Sequence, residues 1–267
     1  GDTHFTGYDE LSTESAVRGV LRAGTRVDVA EQGEEVEIVL DATPFYAEAG
    51  GQAADTGLIT GDGFVVEVLD VQAPMKGLSV HRAIVREGEL PANATVLAAV
   101  DRARRHAGEE AHTATHLVHA ALHDVLGPEA LQSGSFNKAG YLRFDFTWAD
   151  AMSGSARSEV EEVVNLAIDR DVDVLTRVMK KDEAQLLGAT SLFGEKYGDT
   201  VRVVEIDGAW SREFCGGTHV KNTAQIGGFK IDSESSVAAG IRRIEAVTGR
   251  NLLVRANLQE AMLHTVA

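Results

Sequence analysis

The chain has 267 residues, of which 44% are hydrophobic, enough for two modest packed cores. Its 25 basic and 41 acidic residues leave a net charge of −16, which opposes non-specific binding to a polyanion, so any nucleic-acid partner has to be held by local basic patches or by other parts of a larger protein. A single cysteine, Cys215, excludes an internal disulfide, and no run approaches the roughly 18 to 20 apolar residues that span a bilayer. The start, Gly1-Asp2-Thr3-His4, carries no charged region followed by an apolar signal core, so a cytosolic protein is expected.

In residues 1–24, Val17, Val20 and Leu21 give Ser12 to Leu21 a helical spacing. From Thr25 to about Val100 the period shifts to two, in Val36/Ile38/Leu40 and Phe64/Val66/Val68. Gly61-Asp62-Gly63 supplies a short hairpin loop. Several short strands with glycine punctuation predict a small antiparallel β-barrel domain over 25–100. Within it, Gly50-Gly51-Gln52 stands out, because adjacent glycines let backbone approach a ligand and Gln52 can orient a water or bond a ribose. The plain alternative is a tight turn with a surface amide.

Apolar Ala107, Ala111, Ala114, Val118, Ala121, Leu122 and Val125 predict a helix from about Arg102 to Leu126, ended by Gly127-Pro128. His112, His116, His119 and His123 share a stripe turned away from most of the apolar face. His112 and His116, one turn apart, can offer two ring nitrogens to one ion, and so can His119 and His123. Alone, such a stripe reads as a solvated surface, and the missing glutamate after His112 removes the metalloprotease pattern. The second stretch, Cys215-Gly216-Gly217-Thr218-His219, changes this reading. Its thiol and imidazole, added to His112 and His116, make a borderline-soft set that suits Zn2+.

After the helix come Leu131–Ser135, an alternating strand Tyr141–Phe146, a helix from about Ser155 to Asp169 with Ser158 and Glu161 as a capping box, and a strand Val172–Met179. A short helix near Asp182–Leu187, strands at Val201–Ile206, Phe229–Ile231 and Ile241–Val247, and a closing helix Leu252–Leu263 complete the chain. The alternation predicts an α+β domain over 101–267. Arg102, Arg104 and Arg105, Lys180 and Lys181, and Arg242 and Arg243 are the basic clusters.

HTATHLVHAAL from His112, LQSGS from Leu131, YLRFDF from Tyr141, LFGEKYGD ending at Asp199, CGGTHV from Cys215 and GIRRIEAVTG from Gly240 together resemble the editing domain of alanyl-tRNA synthetase. That domain is related to free-standing AlaX proteins and to the threonyl-tRNA synthetase editing domain. TPFYAEAGGQAADTG from Thr43 and FTGYDELSTESAV from Phe5 extend the likeness over nearly the whole chain.

The resemblance implies a zinc site at His112, His116, Cys215 and His219. It also implies a pocket in which Thr115 and Gln132 meet the substrate, a glycine-rich loop at Gly50, Gly51 and Gln52 facing it, and tRNA contacts or carboxylate pairs at Arg242 and Arg243. The implied reaction is hydrolysis of Ser-tRNA(Ala) and Gly-tRNA(Ala) at the acceptor end. The implied partners are the aminoacylation and C-terminal domains of a longer enzyme.

Four bound ligands would close the zinc sphere and make it structural, whereas a loose one would admit water or the substrate's amino group. Ala111 stands where relatives often carry asparagine. Two other readings compete: a release-factor-like Gly-Gly-Gln loop, which lacks basic flanks here, and a non-catalytic zinc-stapled tRNA-binding module.

Overall fold

The computed structural model describes residues 2–191 and 197–266, with side chains through Leu263 in the closing helix; residues 192–196, the first part of the LFGEKYGD motif, lie outside the described residues. The chain divides into two compact units, 1–49 with 53–105 and 50–52 with 106–267. Among the described residues no helix is long and apolar enough to cross a membrane.

The first unit is a closed six-stranded antiparallel barrel. Strands β1 (Ser12–Arg22), β2 (Glu35–Leu40), β3 (Gly57–Gly61), β4 (Phe64–Met75), β5 (Leu78–Glu87) and β6 (Thr95–Val100) run in the order β6-β3-β4-β5-β2-β1, and β1 pairs back onto β6. The hairpin at Gly61–Phe64 forms as its spacing predicts. Ser12–Leu21 is a correction, since it is a strand and not a helix. Its buried positions alternate through Thr13, Ser15 and Val17, and a register shift between Val17 and Gly19 then moves Val20 inward. Alternation that mixes hydroxyls with one bulge leaves Val17, Val20 and Leu21 at the three-and-four spacing of a helix. Val20, Ile38, Ile59, Val66, Val85 and Leu90 are fully buried in the barrel core.

Two polar groups are sealed into this unit. Arg105 donates to both carboxylate oxygens of Asp55 through Nε (3.0 and 2.9 Å) and to the carbonyls of Gly7 and Pro44 (both 2.7 Å), while Tyr46 N donates to Asp55 Oδ2 (2.7 Å). Arg105 is therefore a structural cation, 3% exposed, and not a phosphate contact. Arg102 and Arg104 of the same cluster are exposed.

The other sealed group is His81, which donates Nδ1–H to Ile38 O (2.9 Å) and meets the Thr43 hydroxyl through Nε2 (2.7 Å). Burial pushes its pKa down from 6.5 to about 4, against the opposing pull of the Ile38 carbonyl. The folded barrel thus keeps His81 neutral where the unfolded chain takes up a proton. The stability it contributes is complete above pH 6.5 and is lost as pH falls from there through about 4. Between pH 7 and 4.5 this group alone is expected to remove about 2 to 3 kcal/mol. Urea unfolding of wild type and His81→Gln at both pH values measures the difference; equal losses in the two proteins would contradict it.

The second unit is α+β. Helix α1 (Arg102–Leu126) is followed by β7 (Gln132–Lys138), β8 (Tyr141–Thr147), α2 (Gly154–Asp169), β9 (Val174–Lys180), α3 (Lys181–Leu186), β10 (Thr200–Ile206), β11 (Ser211–Phe214), β12 (Phe229–Ala238), β13 (Ile241–Thr248) and α4 (Asn251–Val266). A four-stranded antiparallel sheet has the order β7-β8-β13-β12, and a three-stranded one the order β9-β10-β11. Ala114, Leu117, Val118 and Leu122 of α1 and Val160 and Val164 of α2 bury against Leu142, Phe144, Phe146 and Ile244, each large apolar side chain contributing about 1.5–3 kcal/mol.

Ser153 caps α2, accepting from Ala156 N (3.0 Å), in place of the expected box at Ser158 and Glu161. Glu161 instead accepts from Lys230 Nζ (2.6 Å) and Ile231 N (3.1 Å), tying α2 to β12.

Candidate metal centre

Helix α1 brings the site together. Its residues 111–122 are all buried, so the histidine stripe is internal and not solvated as its polarity suggests. His112, His116 and His119 are 4%, 5% and 3% exposed. The strand β11 delivers Cys215, and the two glycines that follow let the chain turn so that His219 comes back toward the same point. A side chain at Gly217 would run into the His112 ring and, at 2.8 Å, into Gln52 Oε1, so only glycine fits there.

His112, His116, Cys215 and His219 converge, with their ligand atoms all within 4.8 Å of one another. Cys215 Sγ lies 3.4 Å from His112 Nε2 and 3.3 Å from His219 Nε2. The sulfur–nitrogen edge of a tetrahedral zinc site, built from its usual bond lengths, is about 3.6 Å. His116 Nε2 is buried and has no hydrogen-bond partner. A soft anion, two further imidazole nitrogens and this orphaned one fit a metal ion, and the cluster can hold one.

Burial alone would raise the Cys215 thiol, but its electrostatic interaction with the surrounding His112, His219 and His116 rings outweighs burial and holds the group well below the usual thiol value. Burial pushes His219 down to about 3, which keeps its ring neutral. Burial also opposes charge on His116, but the Glu213 carboxylate, followed by Cys215, pushes it up to about 10.

Each clustered imidazole is gripped by its other nitrogen. His112 Nδ1 meets Gln52 Oε1 (2.7 Å), His116 Nδ1 meets Glu213 Oε2 (2.7 Å), and His219 Nδ1 meets Thr113 Oγ1 (3.2 Å). With Nδ1 donating, a neutral ring carries on Nε2 the lone pair that would face a metal ion, and at His116 such an ion has to displace the second proton that Glu213 favours. Gln52 thereby has a different place from the one its loop suggests. It is 3% exposed, its Oε1 also accepts from Thr218 N (2.9 Å), and its Nε2 donates to Thr218 Oγ1 (2.9 Å), so the amide holds the His112 ring and the Thr218 backbone. Gly51, with φ +79° and no room for a β-carbon, which would lie 2.6 Å from Ser135 O, makes this approach possible.

A cavity of about 440 Å³, including its open mouth, adjoins the cluster and is lined by His112, His116, Cys215, Thr115, Gln132 and Ser135 among others. Thr115 donates its hydroxyl to Ala111 O (2.8 Å), leaving its oxygen able only to accept from a ligand. Gln132 Nε2 donates to Ser135 Oγ (3.1 Å), which leaves the Ser135 hydroxyl proton free for a ligand. Gly50 also lines the cavity. Arg242 and Arg243 pair with Glu234 and Asp145, the latter through two bonds of 2.7 and 2.8 Å, which is the carboxylate alternative for both.

Sequence reasoning missed Glu213 and Ser135. The only signal for Glu213 was its position two residues before Cys215 in an extended run, which places it two positions from Ser211 on one side of β11.

Two stretches of the chain match class II tRNA synthetases, the second through the domain shared by the threonyl and alanyl members. Residues 1–104 match the family model for class II (A) tRNA synthetases, and residues 201–245 match the threonyl and alanyl tRNA synthetase second additional domain. Over 249 residues the chain is 67% identical to the alanine–tRNA ligase of Arthrobacter sp. (strain FB24) and 51% identical to that of Corynebacterium efficiens, and over 250 residues 54% identical to that of Clavibacter michiganensis. These alignments take in 93–94% of this chain and 28% of each relative, so the chain spans about a quarter of the length of the curated relatives it matches. The chain belongs to the alanyl-tRNA synthetase family.

Proposed function

We propose that this chain is the editing part of a cytoplasmic alanyl-tRNA synthetase and hydrolyses the ester of Ser-tRNA(Ala) and Gly-tRNA(Ala). The observation that carries this reading is the His112–His116–Cys215–His219 cluster opening onto a cavity walled by Thr115, Gln132 and Ser135. The physical need is clear. A site selecting alanine gains only about 1–3 kcal/mol against glycine, which lacks one methyl, and rejects a near-isostere bearing one hydroxyl poorly, so a second hydrolytic site supplies the missing accuracy.

Hydrolysis consumes one water, whose oxygen bonds to the ester carbonyl carbon. The bond from that carbon to the terminal ribose oxygen breaks, and that oxygen leaves with a proton. The clustered residues would hold zinc, which supplies Lewis acidity at the cavity wall. Thr115 and Ser135 read the side chain of the amino acid, the first accepting from a serine hydroxyl and the second donating to it. Gln132 holds Ser135 in place. Of the basic clusters in the sequence, Arg102, Arg104 and Lys180 are exposed and available to the tRNA backbone.

Size cannot separate serine and glycine from alanine, which lies between them, so polar groups must recognise the hydroxyl. A site built that way loses affinity for an analogue lacking the hydroxyl. Purified chain incubated with Ser-, Gly- and Ala-tRNA(Ala) is expected to release serine and glycine and to spare alanine. Gln132→Leu is expected to slow serine release by about tenfold or more and glycine release less, on the scale of about 1–3 kcal/mol for one buried unpaired polar group. Equal slowing of both would mean that Gln132 positions the ester or the water. A chain that binds tRNA and metal but leaves every ester intact would favour the zinc-stapled binding module instead.

A further inference from the structure

Glu213 is only 7% exposed, yet both its carboxylate oxygens are used, and by two different histidines. Oε2 meets His116 Nδ1 at 2.7 Å, and Oε1 meets His119 Nδ1 at 2.7 Å. His119 is 3% exposed, lies outside the four-residue cluster, and has its Nε2 buried with no partner beside His123 and Phe144, with ring centroids at 4.5 and 5.5 Å. A neutral imidazole has one N–H to give. Given to Glu213, it leaves His116 with a bare Nε2 aimed at the cluster.

We propose that Glu213 and His119 form a positioning pair: His119 pins one carboxylate oxygen so that the other fixes the tautomer and ring orientation of His116 toward a bound metal. The inference rests on the reading of the cluster as a metal centre. The rival role for His119 is that of a ligand in a second site with His123. That role falls short of ligands, because His119 and His123 offer two nitrogens and, among the described residues, no third ligating group joins them. The other rival is a buried polar contact that merely holds β11 against α1. The two roles differ in what a substitution does, since positioning depends on which atoms donate and packing depends on shape.

At position 213 glutamine keeps the shape but has one acceptor oxygen, so it can receive an N–H from only one of the two histidines. The other ring then faces an amide N–H and must move its proton to Nε2, or turn. Outer-shell partners of a ligating histidine commonly contribute about 10–100-fold to metal affinity. Glu213→Gln is accordingly expected to weaken cobalt binding by about 10–100-fold. His119→Leu, which leaves the carboxylate free to swing, is expected to weaken it by about tenfold. His119→Gln restores a donor toward Oε1 and is expected to return affinity to within about threefold of wild type, a small residue of the outer-shell effect.

The experiment titrates metal-free chain with Co(II), following the thiolate-to-cobalt charge-transfer and d–d bands, and ranks zinc affinity by chelator competition. Thermal unfolding of each metal-free variant runs alongside. Weak binding and altered bands in Glu213→Gln and His119→Leu, with recovery in His119→Gln, would support the pair. Wild-type affinity and bands in Glu213→Gln would overturn it, as would His119→Gln binding as weakly as His119→Leu. If Glu213→Gln does not fold, the two His119 variants decide alone. A wild-type chain that takes up no cobalt would overturn the metal reading and this inference together, whereas wild-type uptake with an unaffected Glu213→Gln would overturn only the inference.

Discussion

Cys215→Ala is expected to lose metal by more than the roughly 10–100-fold that removal of an outer partner costs, because it takes away a ligand and the only anionic one. The same change is expected to stop release of both serine and glycine from tRNA(Ala), in contrast to the selective effect expected at Gln132. Metal content by elemental analysis and deacylation on both substrates provide the check. Undiminished zinc in the variant, or zinc found on His119 and His123, would remove the cluster from the assignment. The expectation follows from proximity: Sγ is within 3.4 Å of two ring nitrogens, and no second cysteine exists to replace it.

Arg105→Met is the second large effect, and it acts on folding. Removing the guanidinium takes the Asp55 carboxylate's charged partner away, leaving it buried beside the Tyr46 N–H, and strips a donor from the Gly7 and Pro44 carbonyls. Breaking a buried pair on one side costs about 3–5 kcal/mol, since an uncompensated charge stays in a dry interior. Exchange of both partners for apolar side chains is expected to restore much of the loss. Arg105→Lys should fall between, because one ammonium cannot span two oxygens and two carbonyls. Urea unfolding of the three variants gives the order. An Arg105→Met chain as stable as wild type would contradict the role given to this cation.

What the sequence disclosed follows from how each signal is generated. Helix α1 was legible to its ends, because apolar spacing and Gly127-Pro128 are local properties. The convergence of His112, His116, Cys215 and His219 was legible because their donor chemistry is unusual as a set. The strand β1 was not, since its buried positions include Thr13 and Ser15, which count as polar, and a bulge shifts its phase. Arg105 and Glu213 were misjudged or missed for a shared reason. A buried ionised side chain and a solvated one are spelled alike, and only the partner brought from a distant segment separates them. Gln52 was noticed for its glycines, but the acceptor it provides is for His112, sixty positions along, and no local pattern encodes that.

The bond from Gln52 to His112 also bears on how this chain can be divided. The tripeptide 50–52 clusters with residues 106–267, while the residues on either side of it belong to the barrel. The unit that holds the cluster is therefore discontinuous in the sequence, and a piece begun at residue 106 would carry all four clustered side chains without the amide that orients the first of them. Trimming at that junction would separate His112 from its support. Exchange of this unit between proteins has to carry the barrel's loop along with it.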